Sequence, residues 1–243
     1  MRKKTVLITG ASRGIGLACA SCFAQAGYFV FINSHHSVKE LFEIKEKLIS
    51  DGYFCEAVPG DVGKPSDVAQ IFSRIQSICD GLDVLINNAG ISYVGLLTDM
   101  TDQDWEKILH TNLSSVFYCS RAAVPYMVSQ KRGKIINISS MWGRIGASCE
   151  TAYSASKAGV NGLTMALAKE LAPSGIQVNA IACGAIDTSM NACFTEEERN
   201  ALAEEIPAGR FGKPQEVAEL AYGLAEKHPY LTGQVIGLDG GYI

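Results

Sequence analysis

No long apolar run occurs near the start of the sequence. The N-terminal segment MRKKTVLITG is basic, and its apolar stretch ends at Gly10 after a few residues. A signal-peptide core needs a longer run, and a membrane span needs about 20 apolar residues. We therefore expect a cytoplasmic protein that does not enter a membrane.

The sequence also has no excess of positive charge. It contains 21 Lys and Arg against 25 Asp and Glu, a net charge of −4. Surfaces that bind nucleic acids or anionic membranes need clustered cations, and this balance does not favour them. The expected partners are small molecules or proteins, with no nucleic acid and no membrane.

Repeats, low-complexity tracts and long linkers are missing as well. A chain of 243 residues can bury a large core, and α/β folds of this size commonly form one domain. We predict a single domain over residues 1–243.

The cysteines show no metal or disulfide pattern. There are eight, and Cys19 and Cys22 form a C-x-x-C that no second pair accompanies. Because this pair falls within a helical pattern, we interpret it as helix packing and predict no metal site, with redox or metal chemistry as the alternative.

Short apolar runs alternate with helical patterns along the chain. Apolar strands between helices indicate a parallel sheet covered on both faces, so we predict a doubly wound, Rossmann-like α/β fold with seven parallel strands. The predicted strands are 4–9, 28–33, 52–58, 82–87, 134–139, 176–181 and 233–238. The predicted helices are 14–26, 38–50, 65–79, 102–130, 152–172 and 214–226.

The first strand runs into TGASRGIG, residues 9–16, where three glycines open a helix. Small residues let the backbone approach a pyrophosphate, which the helix N-terminus stabilises. Glycine-rich turns can also be plain loop punctuation, but the position between strand and helix favours a dinucleotide. The predicted contacts are Gly10, Ser12, Arg13, Gly14, Ile15 and Gly16.

The end of the second strand, FINSHHS, contains no acid. An acid there would bond the adenosine 2′-hydroxyl and repel a 2′-phosphate. Arg13 and His36 could instead face that phosphate, so we predict NADP(H) as the cofactor. An exposed turn is the alternative for His35 and His36. The next two strands end in GDV and NNAG, at the edge where ligands of open α/β sheets bind, although Asx turns would also explain the asparagines. From these segments we predict that Asp61, Val62, Asn88, Ala89 and Gly90 contact the cofactor.

Tyr153 and Lys157 lie four positions apart in AYSASKAG with only small residues between them. This spacing puts both side chains on one helix face. An ammonium near a phenol lowers the phenol pKa, so Tyr153 could act as a general acid or base. Ser140 could bond the same carbonyl oxygen, and Asn112 could hold a water behind Lys157. A surface pair is the alternative for Tyr153 and Lys157 taken alone.

Together these motifs resemble the short-chain dehydrogenase/reductase family over essentially the whole chain. The resemblance implies a nicotinamide-dependent oxidoreductase for ketones and alcohols, in which Asn112, Ser140, Tyr153 and Lys157 are catalytic. It further implies that Tyr153 and Lys157 contact the cofactor, as do Gly184, Ile186 and Thr188.

Within the family, NISSMWG, YSASKAG, IDTSM, GRFGKPQEVAEL and LTGQVIGLDGG are most similar to bacterial 3-oxoacyl-acyl-carrier-protein reductases. The similarity implies a 3-oxoacyl thioester on acyl carrier protein as substrate, a role in fatty acid biosynthesis, and a homotetramer. In such a tetramer, helices 102–130 and 152–172 would pack across one interface, and the C-terminal GLDGGYI would lie near another.

Some residues depart from that pattern. Cys183 replaces the usual proline, which we interpret as a packing change, with thiol chemistry as the alternative. Lys131 and Arg132 could dock an acidic carrier, with Arg144 or Arg210 as further cations, but Ser174 stands where a base is common. The predicted substrate lid, 195–205, carries five acids and one arginine, which a capping box from Thr195 to Glu198 on a solvated helix would explain.

These departures keep other functions open. A cationic ketone, such as one on a modified lysine of elongation factor P, is one alternative, and a steroid or sugar is another. A catalytically idle nucleotide-binding scaffold is an alternative of a different class. Specificity would come from the apolar walls of the cleft at Ser92–Leu97, Met141–Glu150 and 188–206. The expected lining is Met141, Trp142, Ile145, Met190 and Phe194.

Overall fold

Seven parallel strands form the central sheet. The computed structural model describes residues 3–191 and 195–243, and within them the strand order is β3-β2-β1-β4-β5-β6-β7 with every pair parallel. Most strand residues are buried, because helices cover both faces. The strands are β1 (Thr5–Ile8), β2 (Phe29–Ile32), β3 (Phe54–Ala57), β4 (Val84–Asn87), β5 (Gly133–Ser140), β6 (Ile176–Cys183) and β7 (Val235–Leu238).

Two apolar clusters hold helices against the two faces of this sheet. One cluster joins α1, α2 and α9 to the first face, and the other joins α3, α5 and α7 to the second face. This arrangement confirms the predicted doubly wound fold. The helices are α1 (Gly14–Gln25), α2 (Val38–Ser50), α3 (Pro65–Ile78), α4 (Asp102–Leu109), α5 (Ser115–Gln130), α6 (Trp142–Ile145), α7 (Thr151–Leu171), α8 (Glu196–Glu205) and α9 (Pro214–Glu226).

The strand order reverses at β1, which pairs with β2 on one side and β4 on the other. In open α/β sheets, ligands bind beyond the carboxyl ends of the strands at such a reversal. The loops after β1, β2, β3, β4, β5 and β6 therefore meet at one edge of the sheet, and this edge carries the predicted site.

The predicted helix 102–130 is interrupted. A π-helical turn, His110–Ser114, separates α4 from α5. Asn112 within this turn is fully buried, and its amide bonds the backbone of Ile91 in both directions. Single π-helical turns occur frequently at functional sites, and a propensity pattern does not reveal them. The short helix α6 is a second addition, since sequence reasoning assigned that segment to no element.

The structure bears on two expectations from the sequence, the missing membrane span and the packing of the C-x-x-C. No helix in the described part of the chain is long and apolar enough to span a membrane. Cys19 and Cys22 lie in α1, where Cys19 is fully buried in the first apolar cluster and Cys22 packs against it. Burial raises the pKa of both thiols. This packing agrees with the structural interpretation of the C-x-x-C.

Candidate active site

The glycine-rich turn packs tightly against the end of β4. Gly10 has a φ of +64°, and a Cβ there would lie 2.8 Å from the Cα of Ala89. At Gly16 a Cβ would lie 2.3 Å from the carbonyl oxygen of Gly10 and 2.6 Å from the Asn88 amide nitrogen. Side chains larger than hydrogen cannot enter these positions without backbone movement.

The N-terminus of α1 offers a place for an anion. Arg13 precedes the helix in an extended conformation and makes no side-chain cap, and the first turn contains no acid. The first N–H groups of the helix and its dipole therefore favour a negative group. Gly14 has a φ of +55°, and a Cβ there would lie 3.2 Å from the Thr188 methyl carbon. Thr188 thus lies beside the glycine turn.

Two polar residues that the sequence analysis did not select hold this edge together. Thr9 Oγ1 accepts hydrogen bonds from the backbone N–H groups of Asn88 and Ala89, at 2.9 and 3.0 Å. Asn33 donates from its side chain to the carbonyls of Val58 and Gly60, at 2.9 and 3.1 Å. Both follow the last residue of a strand, which is the signal that could have found them.

The side-chain amide of Asn88 links two loops at this edge of the sheet. Its amide donates to the carbonyls of Thr9 and Gly10 at 2.9 and 3.0 Å, so it joins the loop after β4 to the glycine turn. Asn88 therefore shapes the cradle with its side chain, and Gly90 lies on the side that faces Asn112 and Lys157.

The loops after β2 and β3 meet beside the glycine turn. The Ser34 hydroxyl lies 3.4 Å from that of Ser12. The His35 and His36 rings are tilted by 36° with 4.0 Å between their centroids, and His35 Nδ1 lies 3.8 Å from an Asp61 carboxylate oxygen. Arg13 and His36 are both exposed, so both are accessible to a ligand phosphate.

Some predicted cofactor residues can offer only their backbone. The side chains of Val62 and Ile186 are buried in the two apolar clusters. Gly184 donates its N–H to the carbonyl of Leu238, and a Cβ there would lie 2.6 Å from the Cα of Asp239. Ile15 is partly buried against the first cluster.

Ser140, Tyr153 and Lys157 converge beyond the end of β5. The Ser140 hydroxyl lies close enough to Tyr153 to lower its pKa, and Ser140 Oγ accepts from the backbone N–H of Trp142 at 3.2 Å. Lys157 Nζ lies 5.6 Å from the centroid of the Tyr153 ring and donates to the carbonyl of Ile138 at 2.8 Å. The helical spacing in α7 thus brings both side chains to one place, as predicted.

The pKa prediction for Tyr153 was wrong. Burial raises the pKa of Tyr153, and the Ser140 hydrogen bond opposes this only in part. Burial also lowers the pKa of Lys157 from 10.5 to about 8. Sequence reasoning considered the charge of the ammonium, but not the burial of Lys157 or the partial burial of Tyr153. At neutral pH the site therefore holds a protonated phenol and a charged ammonium.

Asn112 reaches this group from the π-helical turn. Its amide nitrogen donates to the Ile91 carbonyl at 2.9 Å and to Ser156 Oγ at 3.1 Å. A Cβ at Gly90 would lie 3.4 Å from Asn112 Oδ1 and 3.6 Å from Lys157 Nζ. Gly90 therefore lies between Asn112 and the lysine.

Asn161, one turn of α7 beyond Lys157, is another residue that the sequence analysis missed. Its Oδ1 accepts from Ser139 Oγ at 2.6 Å, and its Nδ2 donates to the Gly143 carbonyl at 3.0 Å. These bonds fix α6 and the end of β5 against α7. The side chain thus helps to hold Ser140 opposite Tyr153.

Two further groups lie close to Tyr153. Cys183 is buried, and burial raises its thiol pKa to about 12. This agrees with a packing role, because a neutral thiol is a poor nucleophile. Glu150 is partly buried and its charge acts on Tyr153. Burial raises the pKa of the Glu150 carboxyl, which makes no side-chain cap on α7 and no ion pair within residues 3–191 and 195–243.

The predicted apolar wall is present with one correction. Ile145 and Met190 are exposed and Trp142 is partly buried, whereas Met141 is buried. Met141 turns inward because it continues β5 and its N–H bonds the Cys183 carbonyl. Phe194 lies outside the described residues. In the predicted wall segment Ser92–Leu97, the exposed apolar side chains are Val94, Leu96 and Leu97.

Arg144 lies on α6 in the predicted cleft wall, but the other cations expected at the entrance have different positions. Lys131 and Arg132 precede β5, whereas Ser140 ends it, so the two bases lie at the opposite edge of their own sheet. Arg132 also pairs with Asp83 at 3.4 Å. Arg210 is bound in two places by Glu216. Within one chain, neither Lys131 nor Arg132 lies at the carboxyl edge that carries the candidate site.

Known proteins share this arrangement. The family model for short chain dehydrogenases matches residues 4–199. The chain belongs to the short-chain dehydrogenase family. The glycine-rich turn, the NNAG loop and α7 of this short-chain dehydrogenase all lie within the matched region. The protein is accordingly an oxidoreductase of a family that uses nicotinamide cofactors.

Three relatives of this short-chain dehydrogenase match over nearly their full length. An uncharacterized oxidoreductase of Bacillus subtilis, YmfI, is 39% identical over 98% of each chain. A 3-oxoacyl-[acyl-carrier-protein] reductase of Thermotoga maritima is 41% identical, covering 99% of this chain and 98% of the relative. A crystal structure of an Agrobacterium tumefaciens protein, provisionally named a gluconate dehydrogenase, has a TM-score of 0.94 and 35% identity, covering 98% of this chain and 95% of that one.

Proposed function

We propose that this protein reduces the ketone of a 3-oxoacyl thioester to a secondary alcohol with NADPH. The observation that carries the proposal is the convergence of the Ser140 and Tyr153 hydroxyls with the Lys157 ammonium. The thioester is supported by the Thermotoga maritima relative, whose name assigns it that reaction on acyl carrier protein. A catalytically idle scaffold would not require this set of groups.

The residues of the glycine turn fit a dinucleotide. Gly10 and Gly16 let the turn pack directly against the end of β4, where a Cβ would clash, and the uncapped start of α1 favours a pyrophosphate. The bound cofactor would supply the hydride. Gly90 and Thr188 would limit its position from the two other sides.

The proton would come from Tyr153. Burial keeps its hydroxyl protonated at neutral pH, which suits the donor that a ketone reduction needs. Ser140 would donate a hydrogen bond to the same ketone oxygen and hold it close to the phenol. Lys157, charged below a pH of about 8, would stabilise the phenolate as the proton leaves. Asn112 would hold a water behind Lys157 and so return the proton.

NADPH is proposed over NADH because of Arg13 and His36. Both are exposed beside the glycine turn, and no acid follows β2. The Arg13→Ala variant should lower kcat/KM for NADPH more than for NADH, because only NADPH has the 2′-phosphate. Arg74→Ala, which removes an arginine that pairs with Glu56 on another surface, is the control. A wild-type preference for NADH would reject this choice.

A ketone that carries a positive charge is the second candidate, and Glu150 favours it. This carboxylate lies near Tyr153, is partly buried, and has no cationic partner in the described part of the chain. The α8 helix adds Glu196, Glu197 and Glu198 in its first turn, and Arg199 pairs with Asp187. A protonated amine on the substrate would complement these acids. A ketone on a modified lysine of elongation factor P has that chemistry.

One substrate panel separates these candidates. NADPH oxidation is measured in parallel with acetoacetyl-carrier protein, acetoacetyl-CoA, a steroid ketone and a protein that bears an aminoketone. The thioester proposal expects the highest kcat/KM for an acetoacetyl thioester. An aminoketone preference above about tenfold, which is ~1.4 kcal/mol in transition-state binding, would replace it with the second candidate.

The Glu150→Gln variant makes the panel sharper. It should weaken the reduction of a cationic ketone and leave a neutral ketone unchanged, if Glu150 binds the cation. Glu170→Gln, on the exposed part of α7, controls for the loss of one acid. If no ketone is reduced by the wild type, the idle scaffold gains support and both reductase candidates fail.

A further inference from the structure

The C-terminal tail turns back over the end of α8. After β7, the Gly240 carbonyl accepts a hydrogen bond from the Ala208 N–H at 3.0 Å. A Cβ at Gly240, whose φ is +69°, would lie 2.8 Å from the Ile206 side chain. The tail therefore packs directly on the residues that follow α8.

Tyr242 in this tail contacts two walls of the proposed cleft. Its ring meets the Trp142 ring edge-on, with 5.7 Å between centroids and an interplanar angle of 86°. Its hydroxyl donates to Glu205 Oε2 at 3.2 Å. Trp142 begins α6, and its N–H donates to Ser140 Oγ at 3.2 Å. The tyrosine thus connects the last turn of α8 with the segment that holds Ser140.

The α8 helix has few anchors of its own. None of its residues is buried. Near its start, Arg199 pairs with Asp187 at 2.9 Å and lies 4.6 Å from the Phe211 ring centroid. At its end, the described contacts are those of Ile206 and Tyr242. A helix without a buried face depends on such terminal contacts for its position.

We propose that Tyr242 is a positioning residue that holds the end of α8 against α6 and thereby sets the width of the substrate cleft. The edge-on ring contact holds Tyr242 against Trp142 of α6, and the hydrogen bond to Glu205 ties Tyr242 to the end of α8. Its kinetic consequence rests on the proposed ketone reduction, whereas its effect on α8 does not.

Two variants separate the contacts. Tyr242→Phe keeps the ring contact and removes the hydrogen bond, whereas Tyr242→Ala removes both. Tyr230→Phe is the matched control, because Tyr230 is fully exposed. Amide hydrogen exchange of α8 should be at least about fivefold faster in Tyr242→Ala and intermediate in Tyr242→Phe, with α7 unchanged. Equal exchange of α8 in all four proteins would overturn the proposal.

The kinetic measurement shows whether α8 sets the cleft. KM for a long-chain ketone should rise about fivefold or more in Tyr242→Ala, while kcat for a short ketone and the NADPH dissociation constant stay within about twofold. A loss of kcat with both ketones at unchanged KM would also overturn the proposal. If α8 exchanges faster but the wild type reduces no ketone, the attachment stands and the proposed function fails.

Discussion

At the residue scale, burial shifts the pKa values of Lys157 and Tyr153 in opposite directions. It lowers the pKa of the lysine to about 8 and raises that of the tyrosine, because burial disfavours the charged form of each group. The ammonium remains charged at neutral pH and the phenol remains neutral. This pairing supports reduction, in which the phenol must give a proton away.

The lowered pKa of Lys157 predicts a pH dependence of the reduction. As the pH rises through about 8, the ammonium is lost, and kcat/KM for ketone reduction should fall. In Lys157→Arg the guanidinium stays charged, so the alkaline decline should move upward if that variant is active. A wild-type pH profile that is flat to pH 10 would contradict the role of Lys157.

The same residue predicts how stability changes with pH. The folded-state pKa of about 8 lies below the ordinary value of 10.5, so the folded state binds this proton more weakly than the unfolded state. The contribution of Lys157 to stability therefore increases as the pH rises from about 8 to 10.5. Urea unfolding of the wild type and Lys157→Met at several pH values should show their difference changing in this window.

At the scale of elements, the glycine turn and α1 form one unit with the end of β4. A methyl group at Gly16 would lie 2.3 Å from the Gly10 carbonyl oxygen and 2.6 Å from Asn88. Gly16→Ala should lower the free energy of unfolding by about 1–3 kcal/mol and weaken cofactor binding, because the turn must open. Gly162→Ala in α7 is the control, since no atom lies within 4 Å of its added Cβ. Equal denaturant midpoints for the two variants would contradict this packing.

The sequence predicted the positions of the strands far better than it predicted local interruptions such as the π-helical turn. The apolar runs predicted all seven described strands to within two residues at the ends that differ most, such as 52–58 against Phe54–Ala57. The π-helical turn at Asn112 was missed, because tertiary hydrogen bonds to Ile91 stabilise it. The roles of Thr9 and Asn161 were missed for the same reason, since their partners are distant in sequence.

At the scale of the whole molecule, the single chain has exposed apolar surface on the helices that the predicted homotetramer would pack together. Exposed apolar side chains lie on α4, α5 and α7, among them Trp105, Phe117 and Met165. The structure separates two glycines of α7: a Cβ at Gly159 would meet Leu113 at 2.8 Å, whereas one at Gly162 would meet nothing within 4 Å. Gly159 serves packing within the chain, and Gly162 remains available for a second copy.

Assembly can be tested at Gly162. The Gly162→Leu variant should keep the stability of the single chain, because leucine favours a helix over glycine by about 0.8 kcal/mol. It should nevertheless sediment as a smaller species than the wild type at micromolar concentration, because the larger side chain would block close approach. A monomeric wild type would contradict the tetramer, and identical sedimentation of both proteins would contradict this interface.

The fold and the family could be predicted from the sequence, because the periodicity of strands and helices and the spacing of the motifs are visible without tertiary contacts. The cofactor preference and the substrate were not. The substrate depends on side-chain positions such as those of Arg132 and Glu150, and sequence reasoning alone placed Arg132 at an entrance to which its own chain does not bring it.

The most direct test of the account is the turnover of Tyr153→Phe with NADPH and the ketone that the wild type reduces best. This change removes only the hydroxyl, so NADPH should still bind while kcat falls at least ~100-fold, the low end of general acid catalysis. Tyr126→Phe, which alters a tyrosine stacked on Phe72 in another part of the molecule, should keep its activity. Near-normal turnover by Tyr153→Phe would contradict the assignment of Tyr153 as the proton donor.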